Sequence, residues 1–439
     1  MGQFTRRDAL KVIGAAAVSG AAGTLARPGD LHAQALDLKP EKGAELRVLR
    51  WKRFVQGDED QWMKNTENFT RNTGVPVRVD SENFEDIRPK AAVAANVGSG
   101  PDIVLGWYDD AHQYPDRVLD VTDLADYLGA KYGGWYDVCR RYGMRQGRWI
   151  CIPVGIVGGT LVYRESMLKA AGYSAPPKDT EGFLKLCQVL HNKGTPAGMA
   201  LGNAVGDANT WCHWVIWAHG GKMADEQNTV AINSRETIAG LKYAKALYET
   251  FIPGTLSWLD PNNNKAFLAG EISLTLNGIS IYYAAKTSTD PGLRKIAKDI
   301  QHAHMPIGPV GRATELSPLT PGFIFNFTKY PNAAKDYLRF MMEKEQYEAW
   351  QKASLGYVSQ PLKAYESNPI WTVDPKHTPY RDCPKLILDN GYAGTLGTSS
   401  ATVMADYIMV NMVAETASGS TSPEEAVRNA ERRARRYYR

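Results

Sequence analysis

His302 and His304 flank Ala303 just ahead of Met305-Pro306, a spacing that on a strand aims both imidazoles at one face, as a metal ion would require. Two imidazoles alone fall short of a ligand set, so hydrogen-bonded or solvent-facing histidines are the preferred reading. Asp109-Asp110 supplies two carboxylates, but glycosidase carboxylates must converge across a sugar, and neighbours on a strand point to opposite faces. The chain has no G-x-S-x-G elbow, no H-E-x-x-H helix face and no G-x-G-x-x-G after its first strand candidate. Catalytic residues, a metal and a cofactor are therefore not expected.

Aromatic side chains at loop positions are abundant instead: 11 Trp and 22 Tyr stand against 11 Phe. Tyr and Trp pair an apolar face with a polar handle, the combination that a flat, hydroxylated ligand needs from a cleft. Trp51, Lys52, Arg53 and Phe54 follow the first strand candidate, and Trp107, Tyr108 and Asp109 follow the third. Open α/β sheets bind ligands at such strand ends. Trp211, His213, Trp214 and Trp217 crowd one helical stretch. Spacing i, i+3 makes Trp214 and Trp217 core residues, while Trp107 and Trp211 are open to either a ligand or a packing role.

The elements that would position these residues alternate. Glu45 to Trp51 reads as a strand, Asp58 as the cap of a helix to about Asn72 with Gly74 as its stop, and Val75 to Val79 as a second strand. Phe84 to Val97 reads as a helix, with Pro89 near its first turn, and Asp102 to Trp107 as a third strand. Such alternation predicts a doubly wound, mostly parallel sheet. Residues 150–163 are extended with glycines at the centre, a segment able to cross between two lobes. Thr180 is a candidate cap, and helices are expected at Ser234 to Thr250, Pro331 to Glu343, Thr402 to Thr416 and Ser422 to Tyr438.

Thr5-Arg6-Arg7-Asp8-Ala9-Leu10-Lys11, a weakly apolar run and Ala33-Gln34-Ala35 form the pattern of a twin-arginine leader over residues 1–35. Its apolar run is too short to span a bilayer, and no cysteine precedes Cys139 to carry a lipid. A folded, exported protein is expected in the periplasm. The five cysteines are scattered and odd in number, so at least one thiol is free and buried packing suits them best. The formal charge is only +4, with five arginines from Arg432 to Arg439, which confines any nucleic-acid reading to a solvated terminal helix turn.

Short motifs in a consistent order complete the picture: Asn68-Phe69-Thr70-Arg71-Asn72-Thr73-Gly74-Val75-Pro76-Val77, Gly98-Ser99-Gly100-Pro101-Asp102-Ile103-Val104-Leu105, Phe267-Leu268-Ala269-Gly270-Glu271, Ser354-Leu355-Gly356-Tyr357 and Ser422-Pro423-Glu424-Glu425-Ala426. In these the chain resembles the extracellular solute-binding proteins of ABC importers, the group that includes maltose-binding protein. The resemblance implies an α/β fold of two lobes, residues 36–154 with about 322–343, and 155–321 with about 344–439, joined by hinge strands. It also implies a sugar clamped between them, membrane permease subunits as partners, and a monomer.

Carried over by position, Asp109 matches a sugar-hydroxyl acceptor, and Lys52-Arg53-Phe54 a ligand-contacting loop. Val157 stands where the maltose-binding member has a glutamate, and Ser280 where it stacks a tryptophan. The planar fork of Arg53 raises an acidic sugar derivative as a candidate ligand. The expected contacts are Arg53, Trp107, Asp109, Trp211 and Asn277, with Ser280, Tyr282, Gly322 and Tyr357 as further cleft residues. Gly155 and Pro321-Gly322 are the hinge candidates. A secreted carbohydrate-active hydrolase is the alternative.

Overall fold

The computed structural model describes residues 36–52 and 54–438. The leader expected over residues 1–35 and the candidate Arg53 lie outside the described residues.

β1 (Leu46–Trp51) buries Leu46, Val48, Leu49 and Trp51, and pairs in parallel with β2 (Val77–Glu82) and β3 (Ile103–Leu105). The helix between β1 and β2 runs over Gln56–Thr73 and stops where Gly74 takes φ 75° and its N–H bonds the Thr70 carbonyl. Asp58, expected to be its cap, is instead a buried side chain inside the first turn. A 3₁₀ turn at Phe84–Asp86 precedes the helix Ile87–Val97, whose first turn accommodates Pro89.

The chain then crosses twice. β4 (Ile152–Ile156) belongs to the first sheet and β5 (Thr160–Arg164) to the second, with only Val157, Gly158 and Gly159 between them. These glycines reflect close approach: a Cβ on Gly158 would meet Tyr380 at 2.8 Å, and one on Gly159 would meet Thr210 at 2.9 Å. β5 lies between β6 (Leu274–Asn277) and β7 (Ile300–Ala303). β8 (Leu319–Ile324) then returns to the first sheet, whose order is β2-β1-β3-β8-β4 with β8 antiparallel to both neighbours.

In the second sheet β5 is antiparallel to both neighbours, with one parallel bridge at its edge from Ala197 to Leu274, unlike the doubly wound pattern expected of both lobes. Alternating strands and helices announce layers but do not fix which way a returning strand runs.

The boundary expected at residue 344 also moves. Helices Pro331–Met342 and Lys344–Ala353 both pack on Gln56–Thr73, and Trp350 Nε1 donates to Asp58 Oδ1 at 2.8 Å. Tyr365 still stacks on Tyr347 of this lobe, at 4.6 Å between centroids. The chain joins the second lobe further on, where Ile387 bridges Glu315 and the amide of Ala393 reaches the Ala224 carbonyl. Helices Ile408–Ala417 and Pro423–Ala434 then cover Asp207–Ala218 and Arg235–Tyr248.

Two local readings change for local reasons. Asp179, rather than Thr180, caps its helix by accepting from the Gly182 amide. The single helix expected from Thr402 to Thr416 is two, Thr398–Ala405 and Ile408–Ala417, broken at Tyr407 with φ 52°. All five cysteines are free and buried. Among the described residues no helix is long and apolar enough to cross a membrane.

Candidate functional site

The crossings, the ends of β6 and two helix N-termini converge on a cavity between the lobes. Phe54 and Phe84 line it from the first lobe, Val157, Gly158 and Gly159 from the crossing segment, and Thr210, Asn277 and Gly278 from the second lobe. Pro318 and Tyr357 close the remaining sides. The cavity holds about 30 Å³, room for only one or two waters.

Its most charged wall carries two carboxylates. Asp207 opens the helix Asp207–Ala218, and Asp260 opens Asp260–Ala269. Asp260 reaches across to the neighbouring helix start and accepts from the amides of Gly206 (3.1 Å) and Asp207 (2.7 Å). Asp207 Oδ2 accepts from Asn263 Nδ2 at 2.6 Å. Burial pushes both carboxyls up, Asp260 to about 6 and Asp207 well above the usual range, and the nearby charge of Asp260 adds to the effect on Asp207. Among the described residues no lysine or arginine forms an ion pair with either.

Asn277 Nδ2 donates to Asn263 Oδ1 (3.1 Å) and also bonds Asn264, while Ser280 Oγ donates to Asn277 Oδ1 at 3.1 Å. Asn277 is thereby oriented at the cavity, with Ser280 behind it. Phe84 stacks on Trp107 with centroids 3.7 Å apart, and the indole N–H of Trp107 holds the Phe84 carbonyl at 3.1 Å. Trp107 therefore backs the aromatic wall instead of forming it. Tyr108 is turned back by a φ of 51° and donates to the Gly206 carbonyl at 3.3 Å, tying the β3 loop to the wall bearing Asp207.

Of the described residues singled out by sequence, the cavity brings together Phe54, Val157, Asn277 and Tyr357, with Ser280 and Trp107 one layer back. The other described candidates sit elsewhere. Trp211 is wholly buried in the second core, its indole N–H on the Ala200 carbonyl at 2.6 Å and its ring edge-on to Phe251. Tyr282 bonds Asp374 and packs against His302 and His377. Gly322 lies within β8, where a Cβ would meet Val154 at 3.0 Å and Leu338 at 3.2 Å inside the first lobe.

Asp109 is buried where the lobes meet, accepting from Asn390 Nδ2 and Ser400 Oγ at 2.7 Å each. His302 and His304 have separate partners: His302 Nδ1 meets the Lys376 carbonyl, and His304 Nδ1 lies 3.3 Å from Glu315 Oε1. Asp207, Asp260 and Thr210 escaped sequence reasoning. Gly206-Asp207 and Asp260-Pro261 are visible helix starts, yet the two acids stand 53 residues apart and nothing local announces that they meet.

A family model described as bacterial extracellular solute-binding protein matches residues 64–379, most of the described chain. The chain belongs to that family. One curated relative of this solute-binding protein is a probable ABC transporter-binding protein of Deinococcus radiodurans, 24% identical over 203 residues, or 44% of this chain. The match spans about half, 47%, of that relative's length.

Among solved structures, the GacH receptor of Streptomyces glaucescens, determined unliganded and with acarbose, superposes with a TM-score of 0.75 at 16% identity, covering 90% of this chain and 98% of that one. Maltose-bound MalE3 of T. maritima gives 0.76 at 17% identity, covering 89% and 99%. At such identities the likeness shows the two-lobed fold shared by these proteins.

Proposed function

We propose that this solute-binding protein is the capture component of an ABC importer, taking a neutral, hydroxyl-rich solute such as a small sugar or polyol between its lobes and delivering it to membrane permease subunits. The observation that carries the reading is the interlobe cavity whose walls combine Phe54, Phe84 and Tyr357 with Asp207, Asp260 and Asn277. Aromatic faces suit sugar C–H surfaces, and carboxylate and amide oxygens take hydroxyl protons. Asp260, ionised above about pH 6, repels an acidic solute at this cavity, which weighs against the sugar acid suggested by Arg53. The small cavity means that a hexose enters only when the lobes part, consistent with hinge opening about the crossings at residues 157–159 and 304–318. The leader pattern supports export by the twin-arginine route to the periplasm, with the mature chain acting as a monomer.

A thermal-shift screen tests this reading. Neutral hexoses, disaccharides and polyols are compared with uronic acids, and any hit is recovered unchanged after release. At 100 times its dissociation constant a solute adds about 2.7 kcal/mol of stability. The reading predicts a neutral compound as the strongest stabiliser. It is abandoned if every compound leaves the melting temperature unmoved and none is retained on dialysis.

A further inference from the structure

Asp109 is an unusual carboxyl. Its Oδ2 accepts two hydrogen bonds, from Asn390 Nδ2 and Ser400 Oγ, while its Oδ1 is buried without a partner. Asn390 shows the complementary deficit: its Nδ2 is engaged with Asp109, and its Oδ1 is buried without a partner. Two bare oxygens on two groups already joined by one hydrogen bond have a simple remedy. A proton on Asp109 Oδ1 can be donated to Asn390 Oδ1, closing an acid–amide pair with two reciprocal bonds and leaving neither oxygen unsatisfied.

The pair spans the lobes. Asp109 follows β3 of the first sheet, whereas Asn390 lies on a segment held to the second lobe by Glu315, Ala224 and Asn228 and touching the first through Asp389 to Arg141 and its own amide to the Tyr142 hydroxyl at 3.2 Å. We propose that Asp109 and Asn390 form a proton-gated latch: with Asp109 protonated they hold the lobes together, and with Asp109 ionised they release them. The latch assumes the hinge movement of the functional reading above but not the identity of its solute.

The surroundings favour the neutral acid. Burial, the largest influence, outweighs the hydrogen bonds from Ser400 and Asn390 and pushes the Asp109 carboxyl up to about 7, with Asp110 adding repulsion. Arg88, a cation acting on Asp109, is committed to Asp110 at 2.6 Å. On the segment facing it, Asp389 is committed to Arg141. The phenols of Tyr142 and Tyr438, which approach from the first lobe and from the C-terminus, are held neutral by burial. His112, on the same loop, is also kept neutral by burial, its ring on the Tyr142 carbonyl. When the lobes part, Asp109 meets water and returns to the ordinary carboxyl range near 4. Closure thus takes up a proton, and it weakens as pH rises from about 4 to about 7 and levels off above.

The test needs no solute. The five native cysteines are buried, so dyes can be placed selectively through Val93→Cys and Glu181→Cys, exposed positions on the two lobes. Energy transfer in the full mature chain is followed from pH 5 to 8.5. The closed-to-open ratio is expected to fall by up to about tenfold per pH unit between 5 and 7. In Asp109→Asn, whose amide reproduces both bonds without titrating, the ratio should be flat. In Asn390→Ala the open population should rise at low pH and the pH response shrink. The latch is overturned if the parent protein shows no pH response, or if Asp109→Asn retains it. A failed sugar screen leaves this readout intact, so the two ideas fall separately.

Discussion

Two buried carboxylate sites in this molecule have opposite economies. Asp58, in the first lobe, is fully satisfied from within: Arg50 donates to it at 2.5 Å, Trp51 at 3.1 Å and Trp350 at 2.8 Å, and the guanidinium lies 4.5 Å from the Trp51 ring centre. Asp260 is buried and Asp207 half-buried, yet they face each other and a cavity, with amides as their donors and no cation among the described residues. A carboxylate neutralised by its own lobe fastens β1 to two helices. A pair left acidic at a cavity keeps acceptor capacity for something that enters.

Breaking the first site should have the largest effect. Asp58→Ala leaves the Arg50 charge buried and unpaired, and denaturant unfolding should show a loss of about 3–5 kcal/mol with solute affinity of the folded protein unchanged. If affinity collapsed with little loss of stability, the contrast between the sites would be wrong.

The second site should behave in the opposite sense with pH. Because Asp260 titrates near 6 in the folded chain and near 4 when unfolded, its stabilising contribution is complete below about 4 and is lost as pH rises through about 6. Asp260→Asn escapes that loss, so its stability relative to the parent should improve by up to about 3 kcal/mol between pH 4 and 7. Comparing the two proteins at each pH cancels the opposing contribution of buried neutral histidines such as His213, which burial holds near 4. A flat difference would remove the electrostatic argument.

Asp207→Asn sharpens the functional side. Losing one carboxyl hydrogen-bonding group should weaken binding of the solute found in the screen by about 0.5–1.5 kcal/mol in calorimetry, without loss of fold stability. Trp211→Phe should do the reverse and more mildly: about 2 kcal/mol of stability, from a lost hydrogen bond and a void, with affinity unaltered. Weakened binding in Trp211→Phe would return that indole to the cleft.

Legibility followed the range of the interactions. β1, the stop at Gly74 and the glycine-centred crossing were visible because alternation, a left-handed terminus and close backbone packing leave local marks. Asn277 and Tyr357 were identifiable beside the motifs that contain them. Trp107 and Trp211 were ambiguous because an indole at a loop and an indole in a core look alike in sequence, and the structure gave both of them carbonyl partners inside the protein. Asp58 looked like a helix cap until Arg50 and Trp350, the latter 292 residues distant, accounted for both its oxygens.

The chain by itself determined the alternation of strands and helices, the crossing flexible enough to join two lobes, and the wealth of aromatic rings. All of these arise from neighbours within a few residues. Tertiary structure alone decided that β5 of the second sheet runs antiparallel to both neighbours and that Lys344–Ala353 stays with the first lobe. It also decided that Asp207 meets Asp260 and that Asp109 meets Asn390. The physical reason is that a carboxyl's charge, partners and accessibility are properties of what folding packs against it, and those groups come from distant parts of the chain.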